Sequence, residues 1–140
     1  MDKHTHEEGI ILAPKFDAAG LVTTVVSDAD SGEILMLAYM NAEALALTIS
    51  TREAHFWSRS RAELWHKGAT SGNVLVVEDI RVDCDQDAIW VIARPQGHGA
   101  ACHTGRRSCF YRSVTGTGPD TELKIVGDAP LFDPKAVYGK

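Results

Sequence analysis

The chain lacks most of the features that would place it in a membrane, outside the cell or on a polynucleotide. No stretch approaches the roughly 18 consecutive apolar residues that a membrane span requires, so no membrane partner is expected. The opening residues, Met1 to Glu8, are polar and partly acidic. They contain no apolar core of the kind a secretory signal needs, so none is expected. There are only three cysteines, an odd number that cannot pair completely within one chain. A cytoplasmic location follows as the expectation, with the cysteines as free thiols, small buried hydrophobes or metal ligands. Basic residues are also short, 14 against 19 acidic ones, for a net charge of −5. A nucleic-acid partner normally demands the opposite balance, so none is expected. Internal repeats and low-complexity tracts are absent.

What remains is an ordinary globular composition, 44% hydrophobic and 24% charged over 140 residues. That is enough chain for one domain with a real core, and too little for two. Leu21 to Ser27 and Glu33 to Met40 read as strands around the turn cluster Asp28–Gly32, forming a hairpin. Asn41 is a good N-cap, and Glu43 favours the first turn of a short helix over Ala42 to Thr51. Short strands are expected at His55 to Ser58 and Ala62 to His66, and strong ones at Asn73 to Val82 and Ala88 to Ala93. Ser108 to Val114 is a further candidate. From Thr115 the chain turns rich in Gly, Pro and Asp and reads as a loosely ordered tail. The expected fold is a compact α+β single domain over residues 1–140. Its core, about 21–114, is dominated by antiparallel sheet with one short helix, and a tail occupies about 115–140.

Three groups of residues carry chemical potential. In Asp83-Cys84-Asp85-Gln86-Asp87, an extended chain would project Asp83, Asp85 and Asp87 from one face and Cys84 from the other. Three carboxylates on one face suit Mg²⁺ or a similar hard ion, and equally suit a solvated acidic turn. It is not a calcium loop, because Ala88 and Arg94 stand where the loop's glycine and glutamate belong. Cys84, Cys102 and Cys109 are separated by seventeen residues and then six, which is no zinc-finger spacing. Three thiolates would suit zinc with one open position; inert buried cysteines fit the spacing as well. If Cys84 faces away from the aspartates, one resolution is that it completes a zinc site in a second subunit. His98 and His103 flank Cys102 and could serve as general acid or base.

Basic residues gather locally as Arg59, Arg61 and Lys67 and again as Arg106, Arg107 and Arg112. On an acidic protein such clusters fit a small phosphorylated ligand, or simply solvated charge. The loop Lys67–Asn73 adds small residues, the hydroxyls of Thr70 and Ser71 and free backbone N–H groups, as anion-binding loops do.

Five stretches, in order, resemble the phosphoribosyl-AMP cyclohydrolase family. They are Met36–Asn41, His55–Arg61, Leu64–Asn73, Asp83–Asp87 and Ala101–Arg112, with a histidine at 66 and the tail as departures. The resemblance implies a homodimeric hydrolase of histidine biosynthesis that opens the adenine ring of phosphoribosyl-AMP at the N1–C6 bond. It implies zinc on Cys84, Cys102 and Cys109, one per subunit and shared across the dimer, with Cys84 donated by the other chain. It implies one magnesium per subunit on Asp83, Asp85 and Asp87. Water activated by zinc would attack C6, with His103 the first candidate for base and His98 the second. Arg59, Arg61, Lys67, Thr70, Ser71, Arg106 and Arg107 would hold substrate. Two alternatives stand beside this reading. A zinc nucleotide deaminase would attack the same carbon, but its H-x-E and P-C-x-x-C signatures are absent. A non-catalytic zinc-stabilised nucleotide-binding module would need four closed ligands, and only three cysteines exist.

Overall fold

The computed structural model describes residues 1–138. In chain order the elements are α1 (Lys3–Glu8), β1 (Val22–Asp28), β2 (Ile34–Met40), α2 (Ala42–Thr51), β3 (His55–Ser58), β4 (Glu63–His66), β5 (Leu75–Val82), β6 (Ala88–Pro95), β7 (Arg112–Thr115), β8 (Glu122–Ile125) and α3 (Pro134–Tyr138). Helix α2 starts where its cap dictates: the Asn41 Oδ1 accepts from the Ala44 N–H at 2.8 Å. It ends at Arg52, which adopts a left-handed conformation with φ 58°. Its buried face is Ala44, Leu45 and Thr48. Thr48 Oγ1 accepts from the His55 N–H at 3.0 Å and so ties the helix to β3.

The main sheet has four strands in the order β2-β1-β6-β5, with β3–β4 and β7–β8 as separate two-stranded pairs. Every neighbouring pair is antiparallel except one. β1 and β6 run parallel, with Thr23 opposite Ala88 and Asp28 opposite Ala93. The sheet is therefore mixed, while antiparallel pairing dominates as expected. A parallel join requires a long crossover, and α2 with the β3–β4 pair supplies it. The core lies under this sheet: Val22, Val26, Leu35, Met40, Phe56, Leu75, Ile89 and Val91 are all at most 2% exposed.

Three expectations are corrected. Among the described residues, three short helices replace one. The tail is structured as far as it is described: β7 and β8 pair, and the Leu131 N–H donates to the Gly105 carbonyl at 2.6 Å. Phe132 is buried and stacks on His98, with ring centroids 4.8 Å apart. An apolar anchor within a Gly- and Pro-rich stretch is enough to dock it. The last two residues of the expected tail lie outside the described residues. The candidate strand Ser108–Val114 is shorter and shifted, to Arg112–Thr115. Ser108 and Cys109 instead bond to β2, through Ser108 Oγ to the Ile34 carbonyl (2.7 Å) and the Cys109 N–H to the Leu35 carbonyl (2.7 Å).

Candidate active site

The segment 83–87 is the tight turn joining β5 to β6, not an extended strand. Gln86 sits at φ 57°, and its N–H donates to the Asp83 carbonyl at 3.1 Å. Asp83 Oδ1 accepts from the N–H groups of Asp87 (3.0 Å) and Ala88 (3.1 Å), the local bonding that lets Asp close a turn. The carboxylates of Asp83, Asp85 and Asp87 do converge, with one oxygen from each within 4.8 Å of the others. Curling of the chain, not strand alternation, brings them together.

Hydrogen bonds from its carboxyl to Asp85 and then Asp83 push Asp87 up to about 6, while the bond to Asp87 holds Asp85 below the ordinary range. Three converging carboxylates form a donor set that fits a hard divalent ion. A pH effect follows. The folded turn holds the Asp87 proton more tightly than the unfolded chain, whose ordinary value is 3.8. This stabilisation is present below pH 3.8 and lost as pH rises through about 6. The melting temperature in magnesium-free buffer is expected to fall across that window relative to an Asp87→Asn variant. A constant difference between the two proteins would contradict it. The depressed Asp85 acts only at lower pH.

Residues 101–109 form a closed loop. The Ala101 N–H bonds the Arg107 carbonyl at 3.0 Å, the Cys102 N–H the Arg106 carbonyl at 3.1 Å, and the Gly105 N–H the Cys102 carbonyl at 3.0 Å. Gly105 turns the loop at φ 88°, and a side chain there would strike the Phe132 backbone. The loop brings Cys102 and Cys109 into a thiol–thiol hydrogen bond. That bond, with Thr104 Oγ1 donating to Cys102 Sγ at 3.1 Å, draws Cys102 down to about 5 and pushes Cys109 up. Two neighbouring thiols of this kind are donors suited to a soft metal ion. Cys84 is exposed on the β5–β6 turn. Among the described residues of one chain, the three cysteines do not gather as the aspartates do.

A cavity of about 520 Å³ opens beside this loop. Its walls include Met36 and Leu37 of β2, Leu64, Trp65 and His66 of β4, the loop Lys67–Ser71, and His103, Cys109 and Tyr138. A second cavity of about 610 Å³, walled by Tyr39, Trp57, Ser58, Arg59 and Ser60, shares Leu37, Arg61 and Trp65 with the first.

The family model described as phosphoribosyl-AMP cyclohydrolase matches residues 36–111. The chain belongs to the phosphoribosyl-AMP cyclohydrolase family. A Rhizobium etli protein of that name is 57% identical over 139 residues, covering 99% of this chain and 93% of the relative. An Agrobacterium fabrum protein with the same name is 55% identical over 137 residues (98% and 91%), and a Brucella anthropi one 57% over 126 residues (90% and 89%).

The cyclohydrolase match runs from the β2 wall through both cavities to the cysteine loop. Of the residues singled out in the sequence, Arg61, Lys67, Thr70, Ser71, His103 and Cys109 line the first cavity, and Arg59 and Arg61 the second. Lys67 is only 4% exposed. Burial depresses its pKa, and the thiols of Cys109 and Cys102 oppose that shift. Arg106 and Arg107 line neither cavity: Arg106 stacks on Tyr111 at 4.1 Å, and Arg107 lies 3.8 Å from Glu33. His98 also points elsewhere, its Nδ1 3.2 Å from Asn73 Oδ1 and its ring against Phe132. Sequence reasoning missed Tyr39, over whose ring the Arg59 guanidinium sits at 3.9 Å, and Tyr138, which closes the first cavity from the tail. Tyr39 lay in a matched stretch and could have been found. Tyr138 carried no signal.

Proposed function

We propose that this chain hydrolyses the N1–C6 bond of phosphoribosyl-AMP in histidine biosynthesis, as a homodimer holding zinc and magnesium. The observation that carries the reading is that the family match covers every residue walling the two joined cavities except Tyr138. The substrate is adenine with a phosphoribosyl arm on N1 and another on N9, so it needs two joined compartments. The ring occupies the first cavity, between Trp65 and the cysteine loop, and one phosphorylated arm extends into the second, toward Arg59 and Arg61. Water adds to C6, the N1–C6 bond breaks, N1 takes a proton, and the former ring carbon becomes a carboxamide.

Cys102 and Cys109 of one subunit, with Cys84 of the other, would hold zinc. Asp83, Asp85 and Asp87 would hold magnesium. Bound zinc supplies Lewis acidity and a water of lowered pKa, and magnesium supplies charge for phosphate. Because Cys84 lies within the acidic turn, whatever brings it to a second subunit's thiols brings the aspartates too. His103 lines the cavity next to Cys102, free to take a proton from water and pass it to N1. Lys67 offsets the negative charge of the thiol pair from a buried position.

The direct test is loss of phosphoribosyl-AMP in a purified-protein assay with metal analysis. No turnover of that substrate by zinc- and magnesium-loaded protein would overturn the reading. Release of ammonia in place of ring opening would favour the deaminase alternative. Within the same assay, Arg59→Ala is expected to raise KM about tenfold with kcat little changed, the loss of one exposed charge-assisted contact. An unchanged KM would remove the second cavity from the substrate path.

A further inference from the structure

Between Asp85 and Asp87 of the acidic turn stands Gln86, which the motif itself gives no chemical part. Gln86 is 4% exposed and left-handed at φ 57°. Its carboxamide is fully engaged by a distant part of the chain. Oε1 accepts from the Ala13 N–H at 2.8 Å, and Nε2 donates to the carbonyls of His6 and Ile11, each at 3.0 Å. Its own carbonyl accepts from the Lys15 N–H at 2.7 Å. The arm closes on itself as well, with His6 Nε2 2.8 Å from the Ala13 carbonyl. Residues 6–15 therefore wrap one side chain. Four of these bonds converge on the residue flanked by Asp85 and Asp87.

We propose that Gln86 is a positioning residue, through which the N-terminal arm 6–15 fixes the acidic turn in the shape that binds a divalent cation. The turn's own hydrogen bonds run through Asp83 and tie neither the Asp85 nor the Asp87 carboxylate to the protein interior. Its carboxylates are largely exposed, and they repel each other whenever all three are charged. The only side chain between Asp83 and Asp87 that is anchored in the interior is Gln86. Its left-handed backbone determines how Asp85 and Asp87 leave the turn, and the arm's bonds hold that backbone. A ligand's supporting contacts of this kind typically change metal affinity about 10–100-fold when lost.

The inference rests on the aspartates being a cation site, and the experiment separates the two claims. Mn²⁺ binding to the zinc-loaded, full-length protein is followed by electron paramagnetic resonance, without reference to turnover. The proteins compared are wild type, Asp85→Asn, Gln86→Met and Ala13→Pro. Gln86→Met keeps the side-chain length and removes its hydrogen bonds. Ala13→Pro leaves Gln86 in place and deletes the N–H that Oε1 accepts. Asp85→Asn is expected to abolish the site. Gln86→Met is expected to weaken Mn²⁺ by about 10–100-fold, and Ala13→Pro to weaken it in the same direction, with zinc content unchanged. Failure of Asp85→Asn to affect Mn²⁺ would remove the cation site itself. Loss of Mn²⁺ in Asp85→Asn alongside wild-type affinity in folded Gln86→Met or Ala13→Pro would overturn the positioning role and leave the site standing. A lowered melting temperature with unchanged Mn²⁺ affinity is the signature of a merely structural contact, and it too would overturn the proposal. If Gln86→Met does not fold, Ala13→Pro decides alone.

Discussion

Cys84→Ser is expected to lose tight zinc binding and activity together, although Cys84 is exposed and does not gather with the thiol pair within its own chain. Only three thiols exist, and the Cys102–Cys109 pair supplies two donors where zinc usually takes at least three from protein. Cys102→Ser and Cys109→Ser are expected to have the same effect, from inside the loop. Mixing distinguishes a shared site from a local one. Mixed dimers of Cys84→Ser and Cys102→Ser subunits contain one site with all three cysteines and one with a single cysteine. After subunit exchange they should recover up to half the activity per dimer and one tightly held zinc. Full zinc content and near-normal turnover in Cys84→Ser would show that the third donor is not this residue. Absence of recovery after proven exchange would place the site within one chain.

His103→Ala is expected to lower kcat by about 10²–10⁴-fold, the usual worth of a positioned base. Two histidines stand near Cys102 in the sequence, and the structure separates them. His103 lines the cavity with Cys109, while His98 is held by Asn73 and Phe132 outside it. If His103 moves the proton, His103→Ala should lose the acidic limb of the kcat/KM profile and keep its zinc. If it merely supports the metal, the limb stays, zinc binds more weakly, and the loss is nearer 10–100-fold. His98→Ala serves as the comparison, and a larger loss there than at His103 would reverse the assignment.

The elements legible in the sequence are those whose signals are local. Helix α2 begins and ends where expected, because Asn41 caps it and the apolar residues that follow have helical spacing. β3 is likewise found at its observed limits, His55–Ser58. The acidic triplet is the instructive case. Strand alternation leads one to expect the three carboxylates together, yet a turn around the left-handed Gln86 is what makes them converge. Alternation cannot anticipate a non-glycine residue with positive φ. The distinction between His98 and His103 was illegible for a related reason. Each is a few residues from Cys102, but Asn73, twenty-five residues before His98, decides where that ring goes. The docked tail depends on one apolar residue, Phe132, finding the underside of the cysteine loop, a long-range contact that composition conceals.

The parallel seam between β1 and β6 also bears on how the molecule assembles. The pairs β1–β2 and β5–β6 are hairpins of neighbouring segments and can form early, each closing a short loop. Neither closes the sheet. The seam joins Thr23–Asp28 to Ala88–Ala93, so the chain between them must be gathered before this join repays its ordering entropy. On a ribosome the first hairpin emerges long before its lateral neighbour exists. Until β6 arrives, β1 presents an open edge of unpaired backbone groups flanked by Val22, Val25 and Val26. The interval between synthesis of the two strands is thus the period in which the nascent chain is most prone to pair with another copy of itself.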